Sequence, residues 1–448
     1  MREKLKLYYL CRFTQLSPLR LSGGKNDRTD NDLMLDSRGL PMIPGSALAG
    51  VLRSRLPRED ADLLFGKNTV GNDMTESAVL VGDAALPAGA KVRFTHRDGV
   101  GLDERKIAIP KAKYDFETAE CSVPYTAVIE WSGWSDDPAL PLLDALLAGA
   151  AADGLAFGGR TTRGYGRMAA DVCKKAFHFP ADVDAWLAFD SDDVNSFADA
   201  TPVVGRETFP QEDVLCAELR MMGSFIVRRY TSDVSENEDK NGPDYCALEN
   251  GKGRPVLPGT GWAGAFRHHM LAMLDEMGGT EQEKKAVNAL FGYSGDGILK
   301  KRSVLTFDET EISGGQAYIL TRNALDRFTA GTASKALYTS CVQQGGQGTL
   351  TIRLRKGALD ASQQQLLGAA LLDLDRGYLT VGGENSVGRG RAAVITLTLN
   401  GRPLQKENLL DHCFIFQGQF CHFCSIHRDR EVEDNLPNPV AIRLLFRE

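Results

Sequence analysis

The 448-residue sequence predicts an α+β protein made of two tandem copies of one strand–helix–strand domain, and three observations predict it. Residues 43–53, IPGSALAGVLR, return as residues 257–267, LPGTGWAGAFR. Each of these stretches follows a strand-like run and a polar, acid-rich loop, and precedes a Leu-Phe-Gly (64–66 and 290–292). Each half then closes on a glycine-rich segment, GGRTTRGYGR at 158–167 and GGENSVGRGR at 382–391. Strand, polar loop, Pro-Gly helix, excursion and Gly-rich segment thus recur in one order, the mark of a duplicated unit. Strand–helix–strand units around a mostly antiparallel sheet are the ferredoxin-like pattern.

Taken in order, the chain opens with KLKLYYLCRF, an alternating run that reads as a strand and closes at Ser22, Gly23 and Gly24. Residues 25–36, KNDRTDNDLMLD, read as a loop. Pro44-Gly45 makes a tight turn, and Ser46, like Thr260 in the second copy, is a natural N-cap for the helix that follows. The first such helix stops near Pro57, and 78–84 (AVLVGDA) is a buried-type strand. Residues 91–131 form a long excursion that returns through YTAVIEW, and an insertion of this length between strands is functional or disordered. Residues 141–152 are an Ala/Leu-rich helix running into the first Gly-rich segment. Residues 174–210 carry several Asp and Pro and no strong period, which predicts a linker. The second half repeats the order: strands at 214–222 and 224–230, a polar loop to 250, the Pro258-Gly259 helix, and a strand at 303–308. A second excursion, 321–347, follows, then a strand at 349–354 and a helix at 361–374. The predicted domains are 1–173 and 211–400, with a C-terminal extension, 401–448, that has no partner in the first half.

Composition is ordinary for a globular protein, and no apolar run is long enough to span a bilayer. Met1-Arg-Glu-Lys-Leu-Lys opens no signal peptide, so no membrane association is expected. Nine scattered cysteines, several inside apolar segments, fit a reducing cytoplasm better than a disulfide framework. The formal charge of −7 does not advertise nucleic-acid binding, but a footprint depends on local clustering, and Arg160, Arg163 and Arg167, like Arg389 and Arg391, are clustered.

A helix N-terminus with free N–H groups, an adjacent hydroxyl (Ser46 or Thr260) and an Arg further along (Arg53 or Arg267) is a cradle for phosphate; an ordinary capped helix is the plainer alternative. The Gly-rich segments lack the strand–glycine–helix order of a dinucleotide fingerprint, and a Walker-type Gly-Lys-Ser/Thr is absent. Glycines interleaved with Arg let a backbone approach a polyanion while Arg holds phosphate, unless the segment is simply a bulged strand. Aligning the polar loops back from the Pro-Gly turn sets Asp30 opposite Asp244. An Asp there holds a divalent cation or helps activate a hydroxyl for phosphodiester cleavage; a solvated loop acid is the alternative, and Asp27, Asp32 and Asp239 compete. No Ser-His-Asp or Cys-His order stands out, and His268 and His269 face Ser54 and Arg55 in the first copy, which suits a surface or RNA-facing role. In the extension, Cys413, Cys421, Cys424 and His427 make a modest zinc-ligand set, with a single CxxC.

Together, the polar loop, the Pro-Gly-Ser/Thr helix with its Gly and Arg, the Leu-Phe-Gly and the terminal Gly-Gly…Gly-x-Gly-Arg resemble the RAMP superfamily of CRISPR proteins. The match is to the Cas-seven-like backbone subunit of type III effector complexes, over about residues 1–173 and 211–400. The resemblance implies two tandem ferredoxin-like (RRM-like) RAMP domains, each with a thumb insertion. Such subunits stack along a guide RNA with other effector subunits, and their thumbs interrupt guide–target pairing. It implies RNA-binding roles for Gly23, Gly24, Ser46, Arg53, Arg97, Gly159, Arg160, Arg163, Thr260, Arg267, Arg322, Gly383 and Arg389. It also implies cleavage of guide-paired target RNA by Asp30 and Asp244 with a divalent cation, Mg2+. Base pairing then reads sequence while the protein holds backbone and shape. Two copies in one chain resemble the fused arrangement of type III-D systems, and Tyr245 and Cys246 after Asp244 depart from the family's loop pattern. A structural guide-binding subunit with idle aspartates is the alternative. A guide-processing ribonuclease would need a His near an early helix, which the repeat does not supply.

Overall fold

The computed structural model describes residues 2–24, 32–67, 74–102, 108–205, 212–230, 242–293 and 300–411. The chain divides into two compact units: the first holds the described residues up to 205 except 162–164, and the second holds 162–164 and those from 212 onward.

In the first unit, β1 (Lys4–Gln15), β2 (Ser22–Gly24) and β3 (Asp32–Leu33) precede α1 (Gly45–Arg53) and α2 (Arg58–Phe65). Then come β4 (Val79–Val81), β5 (Val92–Leu102), β6 (Ala108–Cys121), β7 (Tyr125–Trp134), α3 (Ala139–Asp153), β8 (Leu155–Ala156), β9 (Arg167–Phe179), α4 (Val183–Leu187) and β10 (Thr201–Pro202). The main sheet runs β10-β9-β1-β7-β4, with β8 on β9. Leaving out its edge additions, β9-β1-β7-β4 is the 4-1-3-2 order of a ferredoxin-like sheet, and each of these pairings is antiparallel. Alternation along β1 turns Leu5, Leu7, Tyr9, Cys11 and Phe13 into a core that α1 and α3 cover with Leu48, Leu52, Leu143 and Leu147.

The other face of that sheet is covered as well. Tyr8, Leu10 and Phe177 pack with Phe197, Trp186 and Phe189. Residues 174–205, expected as a linker, thus finish β9, form α4 and pair Thr201 with Lys174 across the sheet edge. Elements this short show no period, because a few aromatic anchors rather than an apolar stripe hold them.

The second unit repeats the plan. It contains β11 (Glu212–Met221), β12 (Ser224–Phe225), β13 (Arg228–Tyr230), β14 (Tyr245–Ala247), β15 (Val256–Leu257), α5 (Gly259–Glu276), α6 (Glu281–Leu290), β16 (Leu305–Phe307) and β17 (Thr310–Glu311). These are followed by β18 (Gln316–Leu325), β19 (Thr332–Gln344), β20 (Gln347–Arg355), α7 (Ala361–Arg376), β21 (Ala392–Leu399) and β22 (Arg402–Pro403). The sheet order β16-β20-β11-β21 is again 2-3-1-4. Trp262 and Phe266 of α5 and Leu367, Leu371 and Leu374 of α7 bury its inner face. The helix α7 carries a capping box, Asp360 with Gln363, and ends on Gly377 in the left-handed region.

The two excursions are β-hairpins. β5 pairs with β6, and β18 with β19. The first is tied to β1 by Gln15, whose Nε2 donates to the Ala119 carbonyl at 2.6 Å while its Oε1 accepts the Cys121 amide at 2.9 Å. In the second, β19 also pairs with β12 and, in parallel, with β14.

One local expectation changes. The Pro-Gly helices begin two residues earlier than Ser46 or Thr260 would set them: Pro44 and Pro258 are the N-caps, and neither helix has a side-chain cap. A Cβ on Gly45 would lie 2.1 Å from the Val81 carbonyl, and one on Gly259 2.1 Å from the Phe307 carbonyl. The close approach of helix to strand therefore fixes the start, and the Gly45 amide donates to Asp83 Oδ1 at 2.7 Å. In α1, a carboxylate of the protein already takes the first helical N–H.

Candidate nucleic-acid interface

The Gly-rich segment of the first unit folds back along the chain after β1. The Gly159 amide donates to the Arg20 carbonyl at 2.7 Å, and the Gly166 amide to the Pro18 carbonyl at 2.8 Å. This return sets Arg160, in the left-handed region at φ 60, beside Arg20. Both guanidiniums lie over aromatic rings of β6: Arg20 is 4.6 Å from the Phe116 centroid, and Arg160 is 4.5 Å from Tyr114 and 5.1 Å from Phe116. Tyr165 meets Phe116 edge-on at 5.7 Å, and Arg97 of β5 lies 5.5 Å over Tyr165. Arg97 is 3% exposed and reaches Glu120 at 3.8 Å.

The electrostatics of this cluster are one-sided. Burial, and then the neighbouring Arg160 charge, push the Arg20 guanidinium below its ordinary value. Arg20 Nε is buried without a hydrogen-bond partner among the described residues. Ring faces stabilise a guanidinium by about 0.5–2 kcal/mol but do not cancel its charge. Two like charges held together against the face of a hairpin are relieved by an anion that takes bonds from both, and a phosphodiester has that geometry.

In the second unit the equivalent loop carries Glu384, and its surroundings are closed by ion pairs. Glu384 accepts Arg389 Nε at 2.8 Å and the Tyr245 hydroxyl at 2.9 Å, with Arg228 Nη2 at 3.3 Å and Arg322 Nη1 at 3.6 Å. Gly383 bonds its amide to the Ile226 carbonyl at 2.7 Å, as Gly159 does to Arg20.

Asp244 is exposed and is fixed midway along the second hairpin, beside Thr339, which pairs with Thr321 across it. Its amide donates to the Thr339 carbonyl at 2.8 Å, and its Oδ2 accepts the Thr339 amide at 2.7 Å. The turns that follow agree between units: Asp36 Oδ1 accepts the amides of Arg38 and Leu40, and Asn250 Oδ1 those of Lys252 and Arg254. Counting back six residues from each gives Asp30 and Asp244. Asp30 itself lies outside the described residues, as do Asp27, Asp239 and the zinc-ligand set Cys413, Cys421, Cys424 and His427. Among the described residues, no group of three or more His, Cys, Asp or Glu converges as a protein-built metal cage requires. A single exposed carboxylate such as Asp244 still suits Mg2+, which keeps most of its waters and takes one or two carboxylates plus substrate phosphate.

The other candidates are spread through the units. Gly23 and Gly24 lie in β2, where a Cβ on Gly23 would be 3.2 Å from the Leu33 carbonyl. Ser46 and Thr260 are the second residues of α1 and α5. Arg53 donates to the Gly66 carbonyl at 2.7 Å and pairs with Asp62, so it braces α1 on α2 and the Leu-Phe-Gly. Arg267 is exposed and bonds Asn288 at 2.7 Å. Arg163 donates to the Phe291 carbonyl at 2.7 Å inside the second unit. His269, expected at the surface, is half-buried against Asp373 at 2.7 Å. Residue patterns missed Arg20, Tyr114, Phe116, Arg228, Tyr245 and Glu384, because far-separated strands bring them together. The only signal was the shared frame of the two Gly-rich segments, which sets Glu384 where Arg160 stands.

Among the described residues no helix is long and apolar enough to cross a membrane. No curated protein matches the sequence. Among solved structures the chain is similar to the type III-B Cmr-beta cryo-EM structure of the apo state, at 10% identity and a TM-score of 0.30, over 37% of this chain and 96% of that one. The model of the RAMP superfamily matches residues 12–169 and 201–393, one match for each ferredoxin-like unit. With both halves of the chain matched, this protein belongs to the RAMP superfamily as a tandem pair of RAMP domains.

Proposed function

We propose that the chain is a cytoplasmic backbone subunit of a type III CRISPR effector complex, in which each RAMP domain holds guide RNA and contributes an aspartate to cleavage of paired target RNA. The observation that carries the RNA-binding half is the pair Arg20 and Arg160, stacked on Tyr114 and Phe116 without a carboxylate partner among the described residues. Paired guanidiniums with exposed glycine backbone beside them suit a sugar–phosphate chain. Arg97, with Glu120 and Tyr165, stiffens the hairpin on which those rings sit.

For cleavage, Asp244, and Asp30 by its matching position, would stand beside a hairpin that splays the target strand. Magnesium, when bound, supplies positive charge to the scissile phosphate and the departing oxyanion. The chain's own part is to orient the phosphodiester with Arg side chains and to hold one carboxylate beside it. The Thr339 amide fixes the Asp244 side chain through Oδ2. That same bond favours a second reading for the second domain, in which Asp244 is a structural cap of the hairpin.

The test is single-stranded RNA binding by the full chain, followed by fluorescence anisotropy across a KCl series. Arg20→Ala and Arg160→Ala should each make the slope of log affinity against log salt shallower by about 0.7, the contribution of one single-strand phosphate contact. Slopes equal to wild type for both would remove this interface.

A further inference from the structure

The Gly-rich loops of the two units share a backbone path but not a charge. Gly158, Arg160, Gly164 and Gly166 have φ 82°, 60°, 82° and 71°, and Gly382, Glu384, Gly388 and Gly390 have 92°, 58°, 84° and 77°. Gly159 and Gly383 make the same 2.7 Å bond back to the end of their first-strand segments. A Cβ on Gly166 would fall 1.9 Å from the Phe157 carbonyl, and one on Gly390 2.0 Å from that of Val381. The loops are therefore equivalent residue for residue, and Glu384 occupies the position of Arg160.

Around Glu384, three guanidiniums and a phenol converge from four places in the fold: Arg389 of the loop itself, Arg228 of β13, Arg322 of β18 and Tyr245 of β14. Both carboxylate oxygens receive donors, Oε1 from Tyr245 and Arg228 and Oε2 from Arg389. Its side chain is only 9% exposed. An oxyanion collecting donors from several Arg side chains and a hydroxyl is how a protein holds a phosphate group. Burial alone would push this carboxyl up, but the bonds from Tyr245 and Arg389 and the Arg389 and Arg228 charges outweigh it and hold the group below the usual carboxylate value.

We propose that Glu384 is an internal stand-in for a phosphate. The arginine clamp of the second unit is filled by the chain's own carboxylate, so the two units take the RNA backbone unequally: the first seat binds a phosphate and the second does not. This rests on the RNA-binding reading above and adds that the duplicated loop has diverged into one RNA-facing seat and one seat filled by its own carboxylate, in which Arg389 Nη2 keeps no hydrogen-bond partner among the described residues.

The experiment uses the full chain with fluorescein-labelled single-stranded RNA of mixed sequence, read by anisotropy from 50 to 400 mM KCl. Glu384→Gln keeps the shape and an acceptor oxygen for Tyr245, and it removes the charge together with one acceptor, since the amide NH2 cannot accept from Arg389. It should steepen the salt slope by about 0.7 and tighten binding about fivefold at 100 mM KCl. A slope equal to or shallower than wild type overturns the proposal. Because the substitution leaves three guanidiniums facing one another, its fold is checked by circular dichroism, and Arg228→Gln, at an exposed partner, carries the test independently. With the seat already filled, Arg228→Gln leaves the wild-type slope. A loss matching that of Arg160→Ala shows that the second clamp holds phosphate and overturns the proposal. Wild-type protein without salt-dependent RNA binding removes both readings. A slope that falls in Arg160→Ala and does not steepen in Glu384→Gln removes this one alone.

Discussion

Gly166 and Gly390 close the two Gly-rich loops by passing so near a carbonyl that a methyl group would overlap it, and both sit in the left-handed region. Alanine at either position meets a conformational penalty and a backbone clash together. Each substitution should cost about 2–4 kcal/mol, read as a lowered urea midpoint at unchanged slope, whereas Gly388→Ala, with open space at its Cβ, should cost roughly 1. Equal losses at 388 and 390 would mean that the carbonyl contact does not matter. These glycines were legible in the sequence because the two segments share their spacing. The partners of the loop were not. Arg20 becomes the neighbour of Arg160 only once the loop has folded back on the residues after β1, and Phe116 reaches both only across a hairpin. Side chains joined by register in space leave no local pattern to read.

At the level of elements, periodicity identified what has an apolar face: β1, α3, β20 and α7 all fall where the alternation and helical spacing predict. It failed where single contacts replace a face. Residues 174–205 are held by Phe177, Trp186, Phe189 and Phe197, and the start of α1 is set by the Gly45 approach to Val81 rather than by the Ser46 hydroxyl. The excursions read as insertions and are hairpins, and the second is tied to the Gly-rich loop through a titrating group. Glu384 links the Gly-rich loop to β13, β14 and β18. Its folded-state value is depressed, so its contribution is full above the unfolded value of about 4.3 and is lost as pH falls through the folded one. Below about pH 4.3, amide exchange in β18 and β19, corrected for the intrinsic pH effect, should accelerate more than in β20. In Glu384→Gln that additional acid sensitivity should vanish. Its persistence would assign the hairpin's acid response to another carboxylate.

At the scale of the molecule, the chain carries one RAMP architecture twice, with the same strand order, the same Pro-Gly helix start and the same loop closure. Duplication preserved the scaffold and let the chemistry diverge, as the exchange of Arg160 for Glu384 records. In the sequence Asp30 and Asp244 each stand six residues before the matched turns at Asp36 and Asn250, so a subunit that cuts with both should cut a paired target at two fixed positions. Cleavage of an end-labelled, guide-complementary RNA by the assembled complex, in magnesium and then in EDTA, tests this most directly. With wild type, Asp30→Ala, Asp244→Ala and the double substitution compared, each single change should erase one product band, the double change both, and EDTA all. Identical bands from all four proteins in magnesium would contradict the account and leave the chain a guide-holding scaffold whose aspartates do no chemistry.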